Sequence, residues 1–176
     1  MHHASQTVRG FGILEFLITL AILALILVKA VPAFNVVIHH QRYQMQLDHL
    51  INALEFANTA SKFSGRWMIV CPRRDDDHCD NKHNWSNGWL VVIDRNQNHQ
   101  FDAQDSIRRR YRPQWPIAVL KKSGLPSVIY TPKGLYFSAS TFLICNRKDP
   151  RKQTTMKLAI TGHLRRQSSN DLPCLD

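Results

Sequence analysis

An apolar stretch near the N-terminus constrains this chain more than any other feature. No side chain between residues 16 and 28 is charged, and the apolar character extends over residues 11–34. A helix rising about 1.5 Å per residue over that length crosses a hydrocarbon core about 30 Å thick. Glu15 sits at the start of the stretch. An unpaired carboxylate there costs about 2.5–3.5 kcal/mol even on a lenient insertion scale. An acid in this place therefore marks a functional residue that needs a partner.

Three readings compete for the segment. A cleaved secretory signal has a shorter apolar run and a small-residue site after it, which Ala30-Val31-Pro32-Ala33 resembles only weakly. A plain membrane anchor has no use for Glu15. The third reading rests on Gly10-Phe11-Gly12-Ile13-Leu14-Glu15 followed by the apolar helix. This resembles the class III signal of type IV pilins and pseudopilins. The resemblance implies a leader over residues 1–10, removed by a prepilin peptidase between Gly10 and Phe11, and methylation of the new Phe11 amine. It also implies that Glu15 acts in assembly by pairing with the N-terminal amine of a neighbouring subunit. Burying a charge only where an opposite charge meets it favours assembly in register. Pro32 stands where the family often kinks its helix. Gly12 departs from the family, where Thr or Ser is more usual.

Past the membrane segment, Tyr43, Leu47, Leu50, Ile51, Leu54 and Ala57 recur at three- and four-residue spacing. They predict one apolar stripe on a helix over residues 35–64, packed on the protein's own sheet and ended by Ser64-Gly65. Short β-like runs follow at residues 66–71, 88–94, 106–111, 117–121, 127–130, 135–137, 141–145 and 156–161, with prolines between or at the edges. The plan is α+β: residues 11–34 in the membrane, 35–64 as the remainder of the helix, and 65–176 as a β-rich domain. The residues Gly65-Arg-Trp-Met-Ile-Val-Cys-Pro72, Trp85-Ser-Asn-Gly-Trp89 and the run to Asn98, and Asp102-Ala-Gln-Asp105 resemble the body of the GspH/FimT family. Gly134-Leu-Tyr-Phe137, Thr141-Phe-Leu-Ile-Cys145 and Ile160-Thr-Gly162 resemble its C-terminal half. With the leader, the similarity covers nearly the whole mature chain. It implies a pilin-like fold with a two-sheet domain, and a minor pilin or pseudopilin that primes or joins a type IV pilus or a type II secretion pseudopilus. The partners it implies are other pilins or pseudopilins. The resemblance further implies a single-pass inner-membrane protein whose domain faces the periplasm or the filament tip at the cell surface.

Charge is unevenly spread. The net charge is +10, and residues 95–166 more than account for it, with fifteen Lys and Arg against three Asp. Such a segment attracts polyanions. Arg108-Arg109-Arg110, Arg112, Lys121-Lys122, Arg147-Lys148, Arg151-Lys152 and Arg165-Arg166 form clusters. Strand alternation predicts Arg108 and Arg110 on one face and Arg109 on the other. FimT-type minor pilins of naturally transformable bacteria bind DNA through a C-terminal Gly-Arg-x-Arg motif. The matching stretch here is Gly162-His163-Leu164-Arg165, with His163 in place of the first arginine. The resemblance thus nominates Arg165, with Arg166, Lys157, Arg147, Lys148, Arg151 and Lys152, as contacts to double-stranded DNA. Those contacts are phosphate-directed and independent of sequence. The competing reading is a basic surface that fits other subunits or acidic envelope polymers.

Cys71, Cys79, Cys145 and Cys174 all follow the apolar segment, and an even count beyond a membrane-targeting signal predicts two disulfides. Three pairings are possible. One that joins Cys145 to Cys174 and ties down the C-terminal tail is favoured. Two clusters look like metal sites. Asp94-x-Asn96-x-Asn98-x-x-x-Asp102-x-x-Asp105 has calcium-loop spacing, but His99 occupies the glycine position, Asp105 is shorter than the usual Glu, and short polar residues also cap turns. Cys71, His78, Cys79 and His83 lack zinc-finger spacing, and a disulfide loop explains them. No metal and no cofactor is assigned. No nucleophile elbow, phosphate loop or metalloprotease motif occurs, so the chain reads as a non-enzyme.

Overall fold

A computed structural model describes residues 12–114, 117–133, 139–146 and 153–168. One helix, α1 (Ile13–Ser64), runs through Pro32. It contributes to two compact units, residues 1–41 and residues 42–176. In the first unit the helix is exposed nearly throughout, with Leu14, Leu25, Val28 and Phe34 open to the surroundings. An exposed apolar surface of this kind is long and apolar enough to cross a membrane.

In the second unit the expected stripe faces inward. Tyr43, Leu47, Leu50, Leu54 and Ala57 are buried, Ala53 joins them, and Ile51 is half-buried against the same cluster. The helix stops at Gly65, which takes φ 63° and donates its N–H to Ser61 O (3.0 Å). That left-handed stop suits glycine. The buried Ser61 hydroxyl lies between the carbonyls of Arg66 and Thr131 (2.7 and 2.5 Å), to either of which it can donate its single proton.

Among the described residues eight strands follow: β1 (Trp67–Pro72), β2 (Trp89–Asp94), β3 (Ser106–Tyr111), β4 (Ala118–Lys121), β5 (Val128–Tyr130), β6 (Ser140–Cys145), β7 (Gln153–Leu158) and β8 (Leu164–Ser168). They form two four-stranded sheets, ordered β3-β2-β1-β5 and β4-β6-β7-β8. Every pairing is antiparallel. Met68, Val70, Val91, Ile93 and Val128 of the first sheet and Val119, Phe142, Ile144, Met156 and Leu158 of the second share one core with the helix stripe. The opposite face of the first sheet carries a smaller core of Ile69, Cys71, Leu90, Val92 and Ile129, covered in part by Phe101 and Ile107.

Trp85 joins the sheets from the loop before β2. Its backbone N–H donates to Val119 O (2.7 Å), its indole Nε1–H donates to Pro126 O (3.2 Å), and its ring meets Phe142 edge-on at 5.0 Å. Gly88 opens β2 at φ 96°, and a Cβ there would lie 2.0 Å from Tyr111 O.

The structure shifts one strand and adds another. The run predicted at 156–161 begins three residues earlier, because Gln153, Thr154 and Thr155 are buried in the ladder against β6. Residues 159–163 turn, with Gly162 at φ 84° and its N–H donated to Ala159 O (2.9 Å). Leu164–Ser168, which lies beyond the strands expected from the sequence, is then the edge strand β8. Residues 135–137 lie outside the described residues.

Lys121 is a further correction. It belongs to the basic pair Lys121-Lys122, yet it is 2% exposed. Its ammonium donates to the carbonyls of Ser123 (3.0 Å) and Leu125. Burial pushes its pKa down to about 8. Between about pH 8 and the unfolded lysine value of about 10.4 the unfolded chain binds more protons, so this residue makes stability rise with pH. Melting temperatures between pH 7.5 and 10 are expected to rise for the native chain relative to Lys121→Met, with the difference opening above pH 8. A constant difference across that range would contradict the assignment.

Candidate functional site

Glu15 lies in the first turn of α1, exposed among exposed apolar side chains. Gly10 and Phe11 lie outside the described residues. The helix therefore presents the carboxylate to whatever surrounds it.

The basic residues divide into paired and unpaired sets. On β3 the alternation expected for Arg108, Arg109 and Arg110 fails. Arg109 stands opposite Val91 and Ile107 opposite Val92, so Arg108 is an extra residue at a β-bulge. A bulge places two successive side chains on one side. Arg109 packs its guanidinium 3.7 Å from the centre of the Phe56 ring on α1, and Arg108 lines a groove with Phe56, Met68 and Ile93. Arg110 turns to the other face and bonds Asp77 Oδ1 (2.6 Å) and Asp76 O (2.8 Å). Arg112 and Arg73 bond the Asp76 carboxylate, and Arg112 chiefly holds that carboxyl below its ordinary range. The acidic loop around Asp75–Asp77 thus neutralises half of the β3 cluster.

The β7–β8 hairpin is different. Lys157 stands directly opposite Arg165, both exposed. Like charges facing one another across a ladder are destabilising, so the sheet tolerates this pair at a cost. Arg166 does not join them. It stands opposite the buried Met156 and donates to Gln44 Oε1 of α1. Arg147, Lys148, Arg151 and Lys152 lie outside the described residues. His163 is exposed beside the turn.

The cysteines and the calcium-like loop read as scaffolding. Cys71 and Cys79 form a disulfide. Cys145 is also disulfide-bonded; Cys174 lies outside the described residues. In the 94–105 loop His99 takes the left-handed φ of 64° that a calcium loop asks of its glycine. Most of the carboxylate oxygens there are already occupied, whereas Asp94 Oδ1 is buried with no hydrogen-bond partner among the described residues. Asp94 Oδ2 accepts from His99 N (3.0 Å), and Asp105 accepts from Arg95 N (2.9 Å) and Asp102 N (3.0 Å). Asp102 accepts from Gln104 N (2.8 Å) and from the Asn96 and Asn98 amides (2.8 and 2.7 Å), and these donors, the Gln104 N–H first, lower its pKa. Donors of the loop itself thus hold the Asp102 and Asp105 carboxylates and one oxygen of Asp94. Among the described residues no three His, Cys, Asp or Glu gather to hold a metal.

The model of a family described as "Type II transport protein GspH" matches residues 46–162. The chain belongs to the GspH family. Its fold agrees with that of solved members of the pilin-like class. The type IV minor pilin FimU of Pseudomonas aeruginosa (strain PAO1) superposes with a TM-score of 0.56 at 15% identity, over 76% of this chain and 93% of that one. The minor pseudopilin EpsH of the Type 2 Secretion System of Vibrio cholerae gives 0.51 at 14% identity, over 72% and 97%. At these identities the likeness is one of fold. A search of curated proteins found no sequence match. As a GspH-family chain with an exposed apolar N-terminal helix, the protein is a pilin- or pseudopilin-type subunit, which fits the expected architecture of a long helix on a two-sheet domain.

Proposed function

We propose that this chain is a minor pilin or pseudopilin that loses residues 1–10 and enters a type IV pilus or type II secretion filament through its helix. The observation that carries the reading is Glu15, a lone carboxylate near the start of an exposed apolar helix. Cleavage after Gly10 creates an amine on Phe11, and the Glu15 carboxylate of a neighbouring copy or cousin neutralises it. Residues 11–34 hold the chain in the inner membrane until then, and the β-rich domain faces the periplasm or the filament tip. The subunit works by assembly and carries no enzymatic step. The chain should be recovered in sheared filaments, and that recovery should depend on Glu15.

A second role is favoured by one observation, the exposed Lys157–Arg165 pair with its mutual repulsion. A phosphate between the two cations relieves that repulsion, so the hairpin suits the backbone of double-stranded DNA. In retardation assays Lys157→Ala with Arg165→Ala is expected to weaken duplex binding about tenfold at low salt, regardless of sequence, and to flatten the salt dependence. Arg166→Ala, which removes a contact to Gln44, should have the smaller effect. Equal binding by the double variant removes the hairpin from any nucleic-acid role.

A further inference from the structure

The bulge in β3 does more than reorder arginines. β3 ends its sheet, and among the described residues nothing pairs with its outer edge. The edge of a sheet offers a row of unpaired N–H and C=O groups, which proteins normally cover. Beside it, between β3 and the last turns of α1, lies a groove of about 380 Å³ lined by Phe56, Ala60, Phe63, Met68, Ile93 and Arg108. That volume accepts one large apolar side chain. Phe63, at 89% exposed, is an apolar ring in water with no role in the core. Arg108, brought to the groove by the bulge, makes no hydrogen bond or ion pair among the described residues, whereas Arg110 on the other face is neutralised by Asp77. Arg109 is bound to the Phe56 ring and the Tyr111 hydroxyl, and so holds a second positive charge on the same side.

We infer that this edge and groove dock an extended acidic segment of a neighbouring pilin-type subunit, which places one large apolar side chain in the groove and a carboxylate against Arg108. Main-chain bonds to an edge strand supply affinity, and the pocket and charge supply selection. A nucleic acid suits the surface less well. It would leave the groove and Phe63 unused, and one of the two guanidiniums is already stacked on a ring. The inference rests on the filament reading for the identity of the chain that supplies the segment.

The test replaces Phe63→p-benzoylphenylalanine in the full-length chain, in cells that assemble the filament. The site is exposed, so the photoreactive ring fits without disturbing the core. Light should join the chain to a second pilin-type subunit, at a segment where Asp or Glu adjoins a large apolar residue. Arg108→Glu in the same chain should lower the adduct at least tenfold, and Arg110→Glu should leave it near the starting level. An adduct unmoved by Arg108→Glu, an adduct on a neutral or basic segment, or no adduct from a chain recovered in filaments overturns the docking proposal alone. Absence of the unsubstituted chain from sheared filaments overturns the filament reading and this inference together.

Discussion

Glu15→Gln is expected to remove the chain from sheared filaments while leaving it in the membrane. In the bilayer the substitution abolishes an unpaired charge that costs about 2.5–3.5 kcal/mol, so insertion is unharmed or improved. In the filament it strands an amine that the carboxylate would have neutralised. Removing one partner of a buried ion pair costs about 3–5 kcal/mol, or roughly 10²- to 10⁴-fold in the assembly equilibrium. The ratio of chain in the filament fraction to chain in the membrane fraction, read by immunoblot, should fall by about two orders of magnitude. Glu15→Asp keeps the charge on a shorter arm and should fall between the two. A glutamine variant incorporated at the native level would show that Glu15 has some other use.

Trp85→Ala is expected to produce the largest loss of stability in the globular unit. The ring is fully buried and packs on Phe142, with the Trp89 ring centre 6.4 Å away. Its Nε1–H bonds Pro126 O. Truncating such a residue costs about 3–5 kcal/mol through lost contacts and the cavity left behind. For a unit of this size the melting temperature should drop by on the order of 10–15 °C. Trp85→Phe retains most of the packing and loses mainly the hydrogen bond, about 1 kcal/mol. The two variants therefore separate packing from hydrogen bonding. A drop of only a few degrees for Trp85→Ala would mean that the loop before β2 does not join the sheets.

How legible these features were depended on how local their causes are. The helix stripe could be read because Tyr43, Leu47, Leu50 and Leu54 keep helical spacing, and Gly65 supplied the stop. β1 and β2 could be read because WMIVC and WLVVI are dense in β-branched and aromatic residues. The β7–β8 hairpin could not. Its strands begin with Gln153-Thr154-Thr155 and consist of Leu164-Arg-Arg-Gln-Ser168, polar residues held by ladder pairing rather than by their own preference. The bulge at Arg108 has no signature in the residues around it, yet it decides the face of two arginines. Burial of Lys121 was equally hidden, since lysine is almost never fully buried unless a partner holds it. Here the partners are two carbonyls in the turn that follows. Among the site residues, Glu15 was the most legible because an acid in lipid conflicts with its surroundings. Lys157 and Arg165 were legible as charges but not as neighbours, because their adjacency depends on a turn whose position was misread.

Mass spectrometry of the mature N-terminus bears most directly on the whole scheme. A subunit that works through a freed amine and an acid four residues on should begin at Phe11, with that amine methylated. A chain that retains residues 1–10 would have no amine placed to meet Glu15, one that starts near Ala33 as after ordinary signal cleavage would have lost Glu15 itself, and either would exclude assembly by that pairing.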